Sequence, residues 1–464
     1  MRERYDIAFL GGGPAGYQGA IRAAQLGARV AVVEEREVGG VCLNRGCIPT
    51  KTVRASAEVG RTLRRAREFG FAPVEAVPDL AAILARKDRV VRALRSSIER
   101  LFQARRVDLV EGRGRLKGRT RIEVQGPGGP DLVDAERIVV ATGSRSAEFP
   151  VFPPSPRVFR ADDLLFSPVL PRHLLVVGGG TIGVEMASLY RELGSEVTVV
   201  EALGRILSSE DEEMAAQLLQ ILRRRKIRVF CGITVTSAAE SPEGLRVSLS
   251  DGSELQVDAV LLAVGRGLNT DSIGLEELGV LLDRGRLVVD EHQRTNLAGL
   301  YGAGDVTGGW LLAHVAFAEG IGAAENALGL ERPVERRVIP RCVFSLPEYA
   351  AVGLSEEEAA REHRVKVARS PVKGIGMAQA LGELEGLVKL VADADTDRLL
   401  GAQVLAPHAG DLIAEVAVAM RAGLPSRALL ETLHVHPTLS EGILEVAQAL
   451  HGQAIHLPPP ARAP

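Results

Sequence analysis

Along most of its length the chain alternates short apolar runs with amphipathic stretches, the pattern of strands buried on both faces and crossed by helices. Asp6 to Leu10 and Arg29 to Val33 read as buried strands, with an alanine-rich helix reaching Leu26 between them. The same order returns as Leu174 to Val177, a helix over Val184 to Leu193, and Glu196 to Val200. Between these blocks, helical spacing runs over Val53 to Phe69 and over Leu80 to Phe102, the latter with arginines on its outer face. Val107 to Val133 breaks into short strands around a Gly-Pro-Gly-Gly hairpin. Ile138 to Val140 and Val257 to Gly265 are further buried strands ending in small residues, and helices are predicted over Ser208 to Lys226 and Leu312 to Leu328. Beyond Pro340 come strands at Leu387 to Val391 and Gly401 to Leu405 and helices at Gly410 to Ala422 and Glu441 to Leu450, with no glycine-rich loop. The pattern predicts an α/β fold: two Rossmann-like units and a separate C-terminal α/β domain.

What joins the strands to the helices carries the first chemistry. Gly11-Gly12-Gly13-Pro14-Ala15-Gly16 leads from strand to helix, and Glu34 closes the next strand. In that context Gly11 permits a tight turn, Gly13 lets backbone approach a pyrophosphate, Gly16 lets helix pack on strand, and Glu34 accepts from ribose hydroxyls. Gly178-Gly179-Gly180-Thr181-Ile182-Gly183 and Glu201 repeat the unit at identical spacing. Two dinucleotide units in one chain imply two dinucleotides, and the ordinary reason for that is hydride passing between a nicotinamide and a flavin.

Composition changes little. The chain of 464 residues is long enough for about two to four domains, and a net charge of -3 leaves no overall basic footprint for nucleic acid. Arg223-Arg224-Arg225-Lys226 matches a helix C-terminus rather than a nucleic-acid patch. The phosphate-loop pattern begins by Gly11, leaving no room for a signal or transit peptide, and no apolar run reaches about eighteen residues; a cytoplasmic location is expected.

Candidate reactive groups lie at both ends. Cys42 and Cys47 stand five positions apart in a glycine-rich loop, and Pro49 sits where a first helical position is expected. A helix N-terminus and Lys51 would favour a thiolate there, so the pair could cycle between disulfide and dithiol; two reduced core cysteines or half a metal site are the alternatives. Metal binding would want further ligands nearby, and Cys231 and Cys342 are distant in sequence. Near the C-terminus, His434-Val435-His436-Pro437-Thr438-Leu439-Ser440-Glu441 brings histidine and carboxylate to a loop-to-helix junction, suited to general base work on a thiol or to a plain surface pair. Asp305, beside Gly302 and Gly304, is placed to hold a cofactor hydroxyl.

In Gly39 to Lys51, Ala141-Thr142-Gly143, Gly304-Asp305, Leu312-Ala313-His314 and His436-Pro437-Thr438, taken in order, the chain resembles the pyridine nucleotide-disulfide oxidoreductases over nearly its whole length. Cys42-Leu43-Asn44, the His434 to Glu441 run and the ending Ala454-Ile455-His456 place it nearest the dihydrolipoamide dehydrogenase branch. The resemblance implies an FAD-containing homodimer that uses NAD to reoxidise dihydrolipoyl groups. Its partners would be the lipoyl domain and acyltransferase core of a 2-oxo acid dehydrogenase complex, or the lipoyl protein of glycine cleavage, with no nucleic acid, membrane or metal ion involved. It assigns residues 1–149 and 269–339 to FAD, 150–268 to NAD and 340–464 to dimerisation. Gly11, Gly13, Gly16, Glu34, Lys51, Gly114, Thr142, Gly143, Asp305 and Ala313 would hold FAD, Lys51 pairing with Glu185. Gly178, Gly180, Gly183, Glu185, Glu201, Val235 and Gly265 would hold NAD. Cys47 would face the flavin, Cys42 would exchange with substrate, and His436, held by Glu441 of the same chain, would take the thiol proton for the other subunit.

Three positions depart from the family pattern. Val41 stands where threonine is usual, Leu268 replaces a proline and should loosen a turn by the second cofactor, and Gly308-Gly309-Trp310 precedes the Leu-Ala-His motif. A glutathione reductase would want arginines after the second acid, where Ala202-Leu203-Gly204 stand and Arg205 is alone; a mercuric reductase would want cysteines in the tail, which reads Leu457-Pro458-Pro459-Pro460. A non-catalytic flavin-binding paralogue is opposed by Cys42, Cys47, His436 and Glu441 all being present.

Overall fold

The computed structural model describes residues 4–458, so the tail from Pro459 lies outside the described residues. The chain forms two units, one built from the residues up to Glu148 with Arg160–Leu170 and Gly265–Glu335, the other from Phe149–Phe159, Pro171–Val264 and the residues from Arg336.

In the first unit, Tyr5–Leu10 lies between the parallel strands Val30–Glu34 and Gly129–Val140. Val107–Glu111 adds outside Val30–Glu34 and Leu300–Gly302 outside the upper half of Gly129–Val140, both parallel. The lower half of that long strand pairs antiparallel with Arg121–Gly126, which pairs with Arg113–Gly118, so one strand serves both a doubly wound sheet and a meander. The hairpin closes with Gly126 opposite Gly129, at the predicted glycine-proline turn. Ile7, Phe9, Val30, Val32 and Val139 are fully buried, as strands covered on both faces require, and the helices Pro14–Gln25 and Ala313–Ala327 pack over them.

The second unit repeats the parallel order with Ile227–Cys231, Glu196–Glu201, His173–Val177 and Ala259–Leu262 side by side. A five-stranded antiparallel sheet follows, ordered Arg341–Val343, Glu348–Gly353, Leu399–Ala406, Leu387–Asp393 and Val365–Pro371. The helix predicted from Ser208 begins four residues later, at Glu212–Arg224, because Asp211 caps it by accepting from the Met214 amide. Asp211 also accepts from Lys389, whose fully buried ammonium lies 2.9 Å from both its oxygens, 2.7 Å from Glu213 and 3.1 Å from Glu356. Burial alone would push the Lys389 pKa down; the three carboxylates outweigh it and hold the ammonium charged.

Candidate active site

Cys42 and Cys47 are joined as a disulfide with Cα atoms 4.7 Å apart. The predicted loop is instead a one-turn helix, Gly40–Asn44, and the helix behind it starts at the cysteine itself, Cys47–Arg64. Pro49 is therefore the third residue of the helix and not the first; it is tolerated because amides in the first turn have no intrahelical partner to lose. The consequence is chemical, since Cys47 occupies the first helical position at the positive end of the dipole. Gly46, the residue before it, supplies no side-chain cap. The Asn44 amide nitrogen donates to the carbonyls of Val38 and Gly40, 3.0 Å each, and to that of Glu37, fixing the turn that carries Cys42. Val41, where the family has threonine, gives a carbonyl that accepts from the Gly46 amide at 2.7 Å.

The two glycine loops are built alike. Gly11 and Gly178 have φ of +110° and +109°, and a Cβ on either would strike the carbonyl of Ala141 or Ala263. A Cβ on Gly16 or Gly183 would strike the Gly11 or Gly178 carbonyl, which closes helix onto strand. Gly13 and Gly180 differ: their φ of -69° and -74° suits any residue, and no protein atom lies within 3.4 Å of a Cβ there. Neither backbone nor packing demands those two glycines, so what must approach is a ligand. Among the described residues no side chain caps the helices Pro14–Gln25, Thr181–Leu193 or Ala313–Ala327, and helix N-termini of this kind suit anionic groups. The residues present therefore fit two dinucleotides.

Glu34 accepts from the Gly12 amide at 2.7 Å and the Arg36 amide at 2.9 Å. Burial lifts its pKa, and the amides of Arg36 and Gly12 offset this only in part. Glu201 repeats the arrangement with the amides of Gly179 at 2.5 Å and Leu203 at 2.7 Å. Val235, expected to serve NAD, has its side chain in the core with Val200 and Leu249, leaving only backbone to serve a ligand. Gly114 is glycine for a packing reason, since a Cβ would meet Leu10 and Val33. Glu185 is buried and accepts from the Phe344 amide at 2.9 Å.

Asp305 opens a short turn after Leu300–Gly302, and its carboxylate accepts from Ser144. Ser144 in turn accepts from Nε of Arg266 at 2.7 Å, and Arg266 reaches Asp162 at 3.4 Å. Thr142 and Asn269 exchange side chain-to-backbone bonds of 2.7 and 2.9 Å, which ties Gly143 beside them. Leu268 does not loosen this region: it pairs with Ser144 in an antiparallel ladder of Arg266–Leu268 with Ser144–Ser146. Gly265, with φ +118°, accepts from the Ala147 amide. Gly308 and Gly309 both have φ +74°, so the departure at Trp310 follows a turn that needs glycine.

His436 lies 2.7 Å through Nδ1 from Glu441 Oε1, while the other Glu441 oxygen accepts from the Thr438 amide at 2.9 Å. Burial pushes the Glu441 pKa up, but the bonds from His436 and Thr438 carry it below the ordinary value. A carboxylate on Nδ1 leaves Nε2 as the open nitrogen, and the His436 side chain is 77% exposed. Leu433 and Val435 beside it are 97% and 73% exposed. His434 is the opposite, 4% exposed, with Nδ1 on the Thr432 carbonyl at 2.9 Å and Nε2 on Glu415 at 2.8 Å. Glu415 holds its pKa above the ordinary value, and the pair staples the loop carrying His436.

A bare-backbone phosphate loop repeated twice and a disulfide opening a helix define a dinucleotide-dependent disulfide oxidoreductase. The chain belongs to the pyridine nucleotide-disulphide oxidoreductase family, which residues 5–320 match, and residues 339–447 match that family's dimerisation domain. FAD and NAD are the cofactors of such enzymes. The chain is 42% identical to the dihydrolipoyl dehydrogenase of Thermus scotoductus, covering 98% of this chain and 99% of the relative. It is 39% identical to that of Chlamydia muridarum, covering 99% of each. Among solved structures, LpdA from Mycobacterium tuberculosis superposes with a TM-score of 0.90 at 33% identity, covering 96% of this chain and 99% of that one.

Ser144, Arg266, Asp162, His434 and Glu415 escape a reading of the sequence as site residues. Ser144 and Asp305 are 161 residues apart, so no local spacing announces their bond. His434 is visible in the sequence, but its partner lies 19 residues upstream, on the helix Ala409–Arg421.

Proposed function

We propose that the enzyme oxidises a protein-bound dihydrolipoyl group to the lipoyl disulfide and reduces NAD to NADH, in the setting of a 2-oxo acid dehydrogenase or glycine cleavage system in the cytoplasm. The observation that carries this reading is the Cys42–Cys47 disulfide at the start of Cys47–Arg64, in a chain similar over its whole length to dihydrolipoyl dehydrogenases. FAD supplies a two-electron relay between that cysteine pair and the nicotinamide.

One thiolate of the dihydrolipoyl group attacks Cys42, and Cys47 leaves as a thiolate that the uncapped helix start stabilises. His436 Nε2 removes the proton of the second thiol, which attacks the mixed disulfide, closes the lipoyl ring and leaves Cys42 and Cys47 reduced. Their electron pair, with one of the two thiol protons, then passes to NAD, and the proton given up when the first thiolate formed is the one released. Glu441 keeps the His436 proton on Nδ1 and stabilises the imidazolium. We assign residues 1–149 and 269–339 to FAD, 150–268 to NAD and 340–464 to a dimer interface through which His436 serves the other subunit. The exposure of His436 in a single chain supports that sharing.

Turnover measured side by side with dihydrolipoamide, glutathione disulfide and mercuric ion tests the reaction; a preference for either of the last two sinks it. Cys42→Ser and His436→Ala homodimers should be nearly inactive, and random mixing should restore about a quarter of wild-type activity. Failure of verified mixed dimers to recover would mean that each chain builds its own site.

A further inference from the structure

The arginines on the outer face of the helix Leu80–Arg105 have no part in the chemistry above. Between Cys47 and Arg106 the sequence holds fourteen Lys and Arg against six Asp and Glu, in a chain whose net charge is -3. The positive charge is therefore gathered on the helix that begins at the redox disulfide and on the helix packed against it. Arg86 joins the two directly, its Nη1 donating to the Thr52 carbonyl at 3.0 Å. Thr52 follows Cys47 by five residues, about 8 Å along the helix. Further along, Arg95 lies 3.8 Å from Glu37, in the turn that carries Cys42. The long helix thus runs alongside both cysteine-bearing segments.

Arg86, Arg89 and Arg92 are exposed, and among the described residues none of the three is paired with a carboxylate. Several exposed arginines elsewhere are engaged, among them Arg121 with Asp134, Arg145 with Asp271 and Arg364 with Asp395. Nor does helix stability call for them, because the dipole favours cations only in the last turn, where Arg105 stands. Guanidinium groups are the side chains best shaped to receive carboxylates, and a segregated field of this sign draws an acidic partner while the rest of an acidic surface repels it.

We propose that this arginine face is the landing surface for an acidic carrier domain that presents the dihydrolipoyl group to Cys42, a proposal that rests on the reaction assigned above. Docking there sets the carrier beside the disulfide, and fixes orientation and encounter rate more than affinity.

The test uses the FAD-loaded homodimer with three reduced substrates: free dihydrolipoamide, a dihydrolipoyl-lysine peptide flanked by aspartate and glutamate, and one flanked by lysine. At low salt kcat/KM for the acidic peptide should exceed that for the basic one by about tenfold, and the gap should close in about 0.5 M KCl. Arg89→Glu/Arg92→Glu should lower kcat/KM for the acidic peptide by about tenfold and leave free dihydrolipoamide within about twofold, while Arg89→Lys/Arg92→Lys keeps most of the preference. Equal use of the two peptides by wild type, or an equal loss on all three substrates in the charge-reversed variant, would overturn the proposal. Absence of turnover with free dihydrolipoamide by wild type would instead remove the reaction itself, and the docking surface with it.

Discussion

The hydroxyl of Ser144 donates to the carboxylate of Asp305 while accepting from Arg266, so the acid proposed to hold a cofactor hydroxyl is itself held by a second side chain. Ser144→Ala removes that support without touching the acid. Flavin affinity should fall by about tenfold, the worth of one charge-assisted hydrogen bond, and Ser144→Thr should restore part of it. Fluorescence titration of deflavinated protein reads the change directly; unchanged affinity would mean that Asp305 needs no second residue.

Cys47 and not Cys42 opens a long helix, and this makes the two thiols unequal. After two-electron reduction without oxygen, Cys47 should be the thiolate that gives a long-wavelength charge-transfer band against oxidised flavin. Cys42→Ser should keep such a band in the enzyme as prepared and Cys47→Ser should lose it. The reverse result would exchange the two roles.

Glu201, proposed to meet the ribose of NAD, is pinned by the amides of Gly179 and Leu203 and cannot swing aside without giving up both bonds. A carboxylate there accepts from a 2′-hydroxyl and repels a 2′-phosphate. NAD should be preferred, and Glu201→Ala should shrink the ratio of kcat/KM for NAD over NADP by about tenfold or more. An unchanged ratio would place the discrimination elsewhere.

The His434–Glu415 pair sets a pH dependence of known sign. Glu415 raises the His434 pKa, so the stabilisation is full below the ordinary histidine range and is lost as pH rises through the raised value. The thermal midpoint of wild type should therefore exceed that of Glu415→Gln most at about pH 6, by about 1–3 °C, and the difference should shrink as pH climbs. A gap that widens with pH would contradict the assignment.

How much of this is legible in sequence depends on how local each feature is. Gly11 to Glu34 and Gly178 to Glu201 are readable because turn, helix and acid follow one another within a single strand-helix-strand unit. The start of the helix at Cys47 is less so, because proline fits any position of the first turn and Pro49 invites a later start. The start of Glu212–Arg224 is misplaced for the same kind of reason, since several acids precede it and only geometry selects Asp211 as the cap. The ladder that seats Leu268 against Ser144 joins segments more than a hundred residues apart, and no rule of local spacing reaches that far.

The exposure of Leu433, Val435 and His436 has a consequence beyond catalysis. Apolar side chains and a proton acceptor stand together on one surface, so the contact that hides the first also engages the second. On the shared-site reading a solitary chain is both adhesive and silent. Dilution would then lower the rate per chain as well as the rate per volume, and a cell could keep no standing reserve of working single copies.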